Sequence, residues 1–124
     1  MGRGFANDPK HLTGLIMQAI QHKGYALVDV LQPCVTYNKI NTGDWYKQRV
    51  YKLDAEEGYD PHDYSSAWQK SLEWEERIPI GVIYQEEGRP TYDEQVSELA
   101  SGPLYRQTVH QDRELLESIK HEFM

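Results

Sequence analysis

Only one cysteine stands in this 124-residue chain, and its setting is Gln32-Pro33-Cys34-Val35-Thr36-Tyr37-Asn38. A thiolate at Cys34 could serve as a nucleophile or as a metal ligand. A nucleophile needs a base, and no histidine lies nearby in the sequence. A zinc or iron–sulfur site needs about four ligands, so any cluster here would draw its other ligands from elsewhere. The plain alternative is a buried small hydrophobe, the commonest fate of a lone cysteine. Its position favours chemistry, because Cys34 follows the apolar run Tyr25–Leu31, and open α/β sheets bind ligands beyond the carboxyl ends of their strands. Pro33 stiffens the approach, and Thr36 and Asn38 offer polar contacts.

The other chemical residues read more simply. His11, His22, His62, His110 and His121 form no H-x-x-x-H pair and no zinc spacing. The pairs Glu56-Glu57, Glu75-Glu76 and Glu86-Glu87 read as solvated faces and turns. Gly2-Arg3-Gly4 lacks the third glycine of a phosphate-binding loop. Trp45 and Tyr46 could line a pocket, but packing is the better reading.

Composition bounds the rest. The hydrophobic fraction of 39% and charged fraction of 27% suit one globular domain. A formal net charge of -7 and the lack of a basic stripe argue against nucleic acid and against a polybasic membrane anchor. No apolar run is long enough to span a bilayer, and no secretory signal is evident, so the expected location is the cytoplasm.

The elements that position Cys34 follow from pattern. Asp8 caps a helix that begins at Pro9, with Leu12, Leu15, Ile16, Ala19 and Ile20 as its apolar stripe and Gly24 as its stop. Tyr25–Leu31 reads as a parallel strand buried on both faces, so Val28 and Val30 should both be covered. Helix and strand make half of a βαβ unit, and the strand before the helix is expected to be missing. Asn41-Thr42-Gly43-Asp44 is a turn or helix cap, and Val50–Leu53 a short strand. Asp63 caps a second helix carrying Tyr64, Ala67, Trp68 and Leu72. Ile78–Tyr84 is a strand that Pro79 places at an edge or at a strand start. Asp93–Ala100 reads as a short helix, and His110–Met124 as an amphipathic helix expected to dock on the body or a partner. With two or three strands, the sheet should leave apolar faces bare, which predicts marginal stability or self-association.

Several blocks, taken in order, resemble one family. They are Gly4-Phe5-Ala6-Asn7-Asp8-Pro9-Lys10-His11-Leu12, Ala26 to Asn38 with its Gln-Pro-Cys-Val-Thr-Tyr-Asn, Asn41-Thr42 with Trp45-Tyr46, and Ile78-Pro79-Ile80-Gly81-Val82-Ile83-Tyr84. Together they resemble the C-terminal part of the β subunit of 2-oxoacid:ferredoxin oxidoreductases, nearest the 2-oxoglutarate type. The resemblance implies an α/β fold, here a partial thiamine diphosphate-binding fold with a small, mostly parallel sheet flanked by helices. Residues 4–95 would belong to that domain and residues 96–124 to a helical tail. It implies oxidative decarboxylation of a 2-oxoacid with coenzyme A, giving CO2, an acyl-CoA and reduced ferredoxin. The cofactors would be thiamine diphosphate with Mg2+ and a [4Fe–4S] cluster.

By the same resemblance Cys34 is the fourth cluster ligand, and Cys34, Thr36 and Asn38 are the cofactor-binding residues. Partners would be the N-terminal half of the β subunit, an α subunit and ferredoxin. The family's Gly-Asp-Gly stretch and N-terminal Cys-x-x-Cys are absent from this sequence. The chain therefore reads as a C-terminal piece, expected to be inactive and to hold none of these cofactors alone. Two alternatives stay open: a non-catalytic interaction module derived from that fold, and a small thiol enzyme using Cys34.

Overall fold

The computed structural model describes residues 1–107 and 112–123. It divides into two compact units, Met1–Arg89 and Pro90–Met124.

The first unit is built from two βαβ units. In one, β1 (Gly2–Phe5) leads through α1 (Pro9–Gln21) to β2 (Val28–Leu31). In the other, β3 (Val50–Lys52) leads through a 3-10 turn at Leu53–Ala55 and α3 (Tyr64–Leu72) to β4 (Ile78–Val82). Between them lies the short helix α2 (Gly43–Lys47). The strand order is β2-β1-β4-β3, with β1/β2 and β3/β4 parallel and β1/β4 antiparallel. The sheet is thus mixed, with two of its three pairings parallel, and the α/β reading holds.

The strand expected to be missing is present. β1 occupies Gly2–Phe5 and pairs along its whole length with β2, Gly2 opposite Val28 and Phe5 opposite Leu31. Its sequence Gly-Arg-Gly-Phe has almost no apolar content, so pattern alone gives it little strand signal. The two glycines serve packing: a Cβ on Gly2 would lie 2.8 Å from Leu15 Cδ1, so α1 sits close on this strand.

The expected burial of β2 on both faces is not met. β2 is an edge strand, Val28 is only partly covered, Val30 is 40% exposed, and Leu31 alone is buried. An apolar run reports what a strand can bury, and the neighbour needed to cover Val30 is not in this sheet. The α1 stripe shows the same thing: Leu15 is buried, while Ile16 and Ile20 remain exposed.

Pro79 also departs from expectation, since β4 is an inner strand. The Ile78 N–H points toward β3 and donates to Arg49 O at 2.9 Å, so the neighbouring Pro79 nitrogen faces β1. Pairing with β1 is registered only at Gly81 and Val82, so no ladder bond is lost at Pro79. Gly81 takes φ +124°, a conformation that favours glycine, beside Leu53 and His11.

Two clusters form the core. Phe5, Leu31, Ile78 and Ile80 pack with Trp45, Tyr46 and Val50. Leu53, Ala67 and Ile83 pack with Tyr51, Tyr59 and Tyr84. In α3 the cap is Asp63, as expected, yet of its apolar positions only Ala67 is buried, and Tyr64, Trp68 and Leu72 are exposed.

The second unit replaces the expected helix at Asp93–Ala100 with two 3-10 turns, Asp93–Gln95 and Ser97–Leu99. A third 3-10 turn covers Leu104–Arg106. The last helix, α4, runs Arg113–Glu122, capped by Asp112, whose side chain accepts from the N–H groups of Glu114 and Leu115. Leu115, Leu116 and Ile119 are exposed on α4. His110 and Met124, the ends of the expected helix, lie outside the described residues.

Candidate functional site: the loop after β2

Cys34 sits three residues beyond Leu31, the last residue of β2. The carboxyl ends of the parallel pair meet here, where the Ala6 N–H donates to Leu31 O at 3.0 Å. The loops that follow β1 and β2 therefore leave the sheet side by side. The Asp8 side chain caps α1 through the His11 N–H and pairs with Lys52 of β3 at 3.0 Å.

The Cys34 thiol is exposed. Its Sγ accepts a hydrogen bond from the Tyr37 N–H at 3.4 Å. Backbone N–H groups of Tyr37 foremost, then Asn38 and Thr36, hold the thiol below its usual range. Thiolate is favoured because each N–H dipole presents positive charge to sulfur.

Thr36 and Asn38 are exposed on the same loop. The Asn38 side chain turns inward on the loop itself. Its Oδ1 accepts from the N–H groups of Ile40 at 3.0 Å and Asn41 at 2.9 Å, and its Nδ2 donates to Asn41 Oδ1 at 3.2 Å. Lys39 Nζ donates to Val35 O at 2.6 Å. These bonds hold residues 34–41 in a turned conformation. Val35, Tyr37 and Ile40 are left 83%, 90% and 79% exposed, a concentration of bare apolar groups around the thiol.

The loop is anchored at its far end. Thr42 caps α2 by accepting from the Trp45 N–H at 3.3 Å. The Tyr46 ring lies tilted 5.8 Å from Phe5 and edge-on 5.0 Å from Trp45, and Arg49 lies over the Trp45 ring at 4.2 Å while donating to Trp45 O. Trp45 and Tyr46 thus serve packing, as their sequence suggested.

No histidine joins this loop among the described residues. His11 lines a separate groove of about 440 Å3, with Gln18, Leu53, Glu56, Tyr59 and Gln85 among its walls. Among the described residues no three His, Cys, Asp or Glu side chains stand together as a metal site. No helix of the described residues is long and apolar enough to cross a membrane. Sequence reasoning missed Lys39 and the double acceptor role of Asn38. Asn-x-x-Asn followed by Thr-Gly is a turn signal that could have revealed the second.

Comparisons with known proteins bear on the same residues. A 2-oxoacid:ferredoxin oxidoreductase subunit beta from Sulfolobus sp is 50% identical over 85% of this chain and 37% of its own length. The protein of the same name from Saccharolobus solfataricus is 44% identical over 89% of this chain and 39% of its own length. The chain thus spans well under half the length of these relatives. A solved structure, 2-oxoglutarate:ferredoxin oxidoreductase from Magnetococcus marinus with 2-oxoglutarate, coenzyme A and succinyl-CoA bound, superposes with a TM-score of 0.76 at 27% identity. The match covers 95% of this chain and 39% of that one. Residues 34–101, more than half of the chain and beginning at Cys34 itself, match the family described as the C-terminal part of the pyruvate ferredoxin oxidoreductase beta subunit, and to that family the chain belongs.

Proposed function

We propose that this chain supplies the C-terminal part of the β subunit of a 2-oxoglutarate-type 2-oxoacid:ferredoxin oxidoreductase, and that Cys34 is its ligand to a [4Fe–4S] cluster. The observation that carries this is the thiol itself. Cys34 is exposed at the carboxyl end of a parallel strand pair, and its sulfur accepts from the Tyr37 N–H at 3.4 Å. Thiolate is the form that binds iron, and amide donors are the usual surroundings of a cluster sulfur, so the residue fits the group. The remaining ligands would come from outside this chain, as would most of the thiamine diphosphate and Mg2+ site.

When bound, thiamine diphosphate supplies the carbon–carbon cleavage of the 2-oxoacid and the cluster carries the electrons away. This chain's share is positional. Thr36 and Asn38 shape the loop that borders the cofactors, Trp45 and Tyr46 anchor that loop to the core, and the bare Val35, Tyr37 and Ile40 meet the rest of the subunit and exclude water. Coenzyme A, the 2-oxoacid, an α subunit and ferredoxin are the partners of the assembled enzyme. The chain alone is inactive in this reading.

The test is assembly with a complementary N-terminal part of a relative's β subunit and its α subunit. Cluster absorbance should appear with the native chain and drop in Cys34→Ser. Undiminished absorbance in that variant removes Cys34 from the ligand set.

A further inference from the structure

Resting on the assignment of Cys34 to the cluster, we infer that Asn38 is a positioning residue that tunes the cluster's reduction potential, by holding the 35–41 loop so that the Tyr37 N–H faces the Cys34 sulfur.

Asn38 lies four residues from Cys34, and its polar side-chain atoms are both engaged within the loop. Oδ1 takes two backbone donors, Ile40 and Asn41, and Nδ2 reaches Asn41 Oδ1. One side chain therefore fixes the segment 38–41 from within. Lys39 closes the opposite side by reaching back to Val35 O, the residue next to the cysteine. Between these two clamps lies Tyr37, whose N–H reaches Sγ at 3.4 Å.

The clamps matter because burial does not order the segment. Residues 34–40 are all exposed, so no core packing sets their backbone. An exposed loop has many conformers, and few direct an N–H at one sulfur atom. A polar side chain that collects two N–H groups narrows that set.

The consequence is electrostatic. Adding an electron to a cluster adds negative charge that spreads onto its sulfurs. An N–H dipole aimed at a ligand sulfur stabilises that charge, so it favours the reduced form and raises the potential. Loosening the loop withdraws the dipole and lowers the potential. Asn38 thus acts on the cluster without touching it.

The experiment uses the assembled enzyme and the chain by itself. In the assembled enzyme, Asn38→Ala should lower the cluster midpoint potential in an EPR-monitored titration. The expected size is up to a tenfold shift in the reduction equilibrium, about 59 mV for one electron. Asn38→Ser, whose hydroxyl can still accept from the loop N–H groups, should recover part of the shift. In the chain alone, amide exchange over residues 35–41 should quicken in Asn38→Ala. An unchanged exchange rate overturns the inference. So does an unchanged potential in Asn38→Ala, and where that variant carries no cluster the exchange measurement alone decides. A cluster that survives Cys34→Ser would instead overturn the ligand assignment, and the exchange measurement would still report whether Asn38 holds the loop.

Discussion

The Cβ that Gly4 lacks would fall 2.5 Å from Leu12 Cδ1, so α1 rests so close on β1 that an alanine there needs the Leu12 side chain to move. Gly2, two residues earlier on the same face, is tighter in a different way. Its missing Cβ would meet the buried Leu15 at 2.8 Å and the Gly81 carbonyl oxygen at 3.1 Å. Leu12 is partly exposed and has room to swing aside, whereas Leu15 and a backbone oxygen do not. Gly2→Ala should therefore cost about 1–3 kcal/mol, the range for overpacking, and Gly4→Ala less. Urea unfolding of both variants checks the order; equal costs would mean that α1 shifts as a whole.

Acid should loosen the packing of α3. Lys70 of that helix bonds Glu56, Glu73 and the Tyr51 hydroxyl, at 3.0, 2.8 and 3.1 Å. The Lys70 bond holds the Glu56 carboxyl below its usual range. Burial pushes Glu73 up, but bonds from Lys70 and Tyr51 outweigh it and the net shift is down. Carboxyls depressed in the folded state stabilise it fully above the ordinary value of 4.5. That contribution is lost as pH falls through their lower folded values. Lys70 itself is raised and stays charged throughout this window. Lys70→Met should be less stable than the native chain near neutrality, and the gap should close as pH falls from the ordinary carboxyl value of 4.5 through the depressed folded values of Glu56 and Glu73. A gap of constant size across that range would show that the ion pairs contribute nothing.

The two strand pairs differ greatly in how well the sequence announces them. Helix α1, its Asp8 cap and the strand after it are legible because Pro9, the helical stripe and Gly24 each mark a boundary. β1 is illegible, since Gly-Arg-Gly-Phe is chosen for close approach to α1 rather than for strand propensity. The antiparallel β1–β4 contact is illegible too, because nothing local encodes a pairing between residues about 80 apart. At the site, the thiol and its place in the chain are readable. The Asn38 turn is not, because an asparagine on a ligand loop reads equally as a contact to a ligand and as a clasp on its own backbone.

The contrast between Ile80 and Val30 gives a measurement of what the sheet lacks. Ile80 is 1% exposed, and Ile80→Ala should cost about 2–5 kcal/mol. Val30, with the same apolar character, is 40% exposed on the edge strand, and Val30→Ala should stay within about 0.5 kcal/mol in the chain alone. If the β2 face becomes covered in the assembled subunit, Val30→Ala should weaken assembly while leaving the isolated chain's melt unchanged. A large cost in the isolated chain would mean that Val30 is already buried there, by self-association.

Self-association is itself the expected behaviour of the chain alone. Ile16, Met17 and Ile20 stand on the outer side of α1 at 41%, 54% and 78% exposure, and Val35, Tyr37 and Ile40 crowd one loop. Apolar groups gathered in this way gain about 25 cal/mol for each Å2 they hide from water, and a second copy offers the same faces. Sedimentation should therefore show a mass that rises with concentration. The double variant Ile16→Gln, Ile20→Gln should reduce that rise without lowering the unfolding midpoint at high dilution, because neither side chain is buried in the fold. A native chain that remains monomeric at every concentration would contradict this expectation, and would mean that these exposed groups are too dispersed to form an interface.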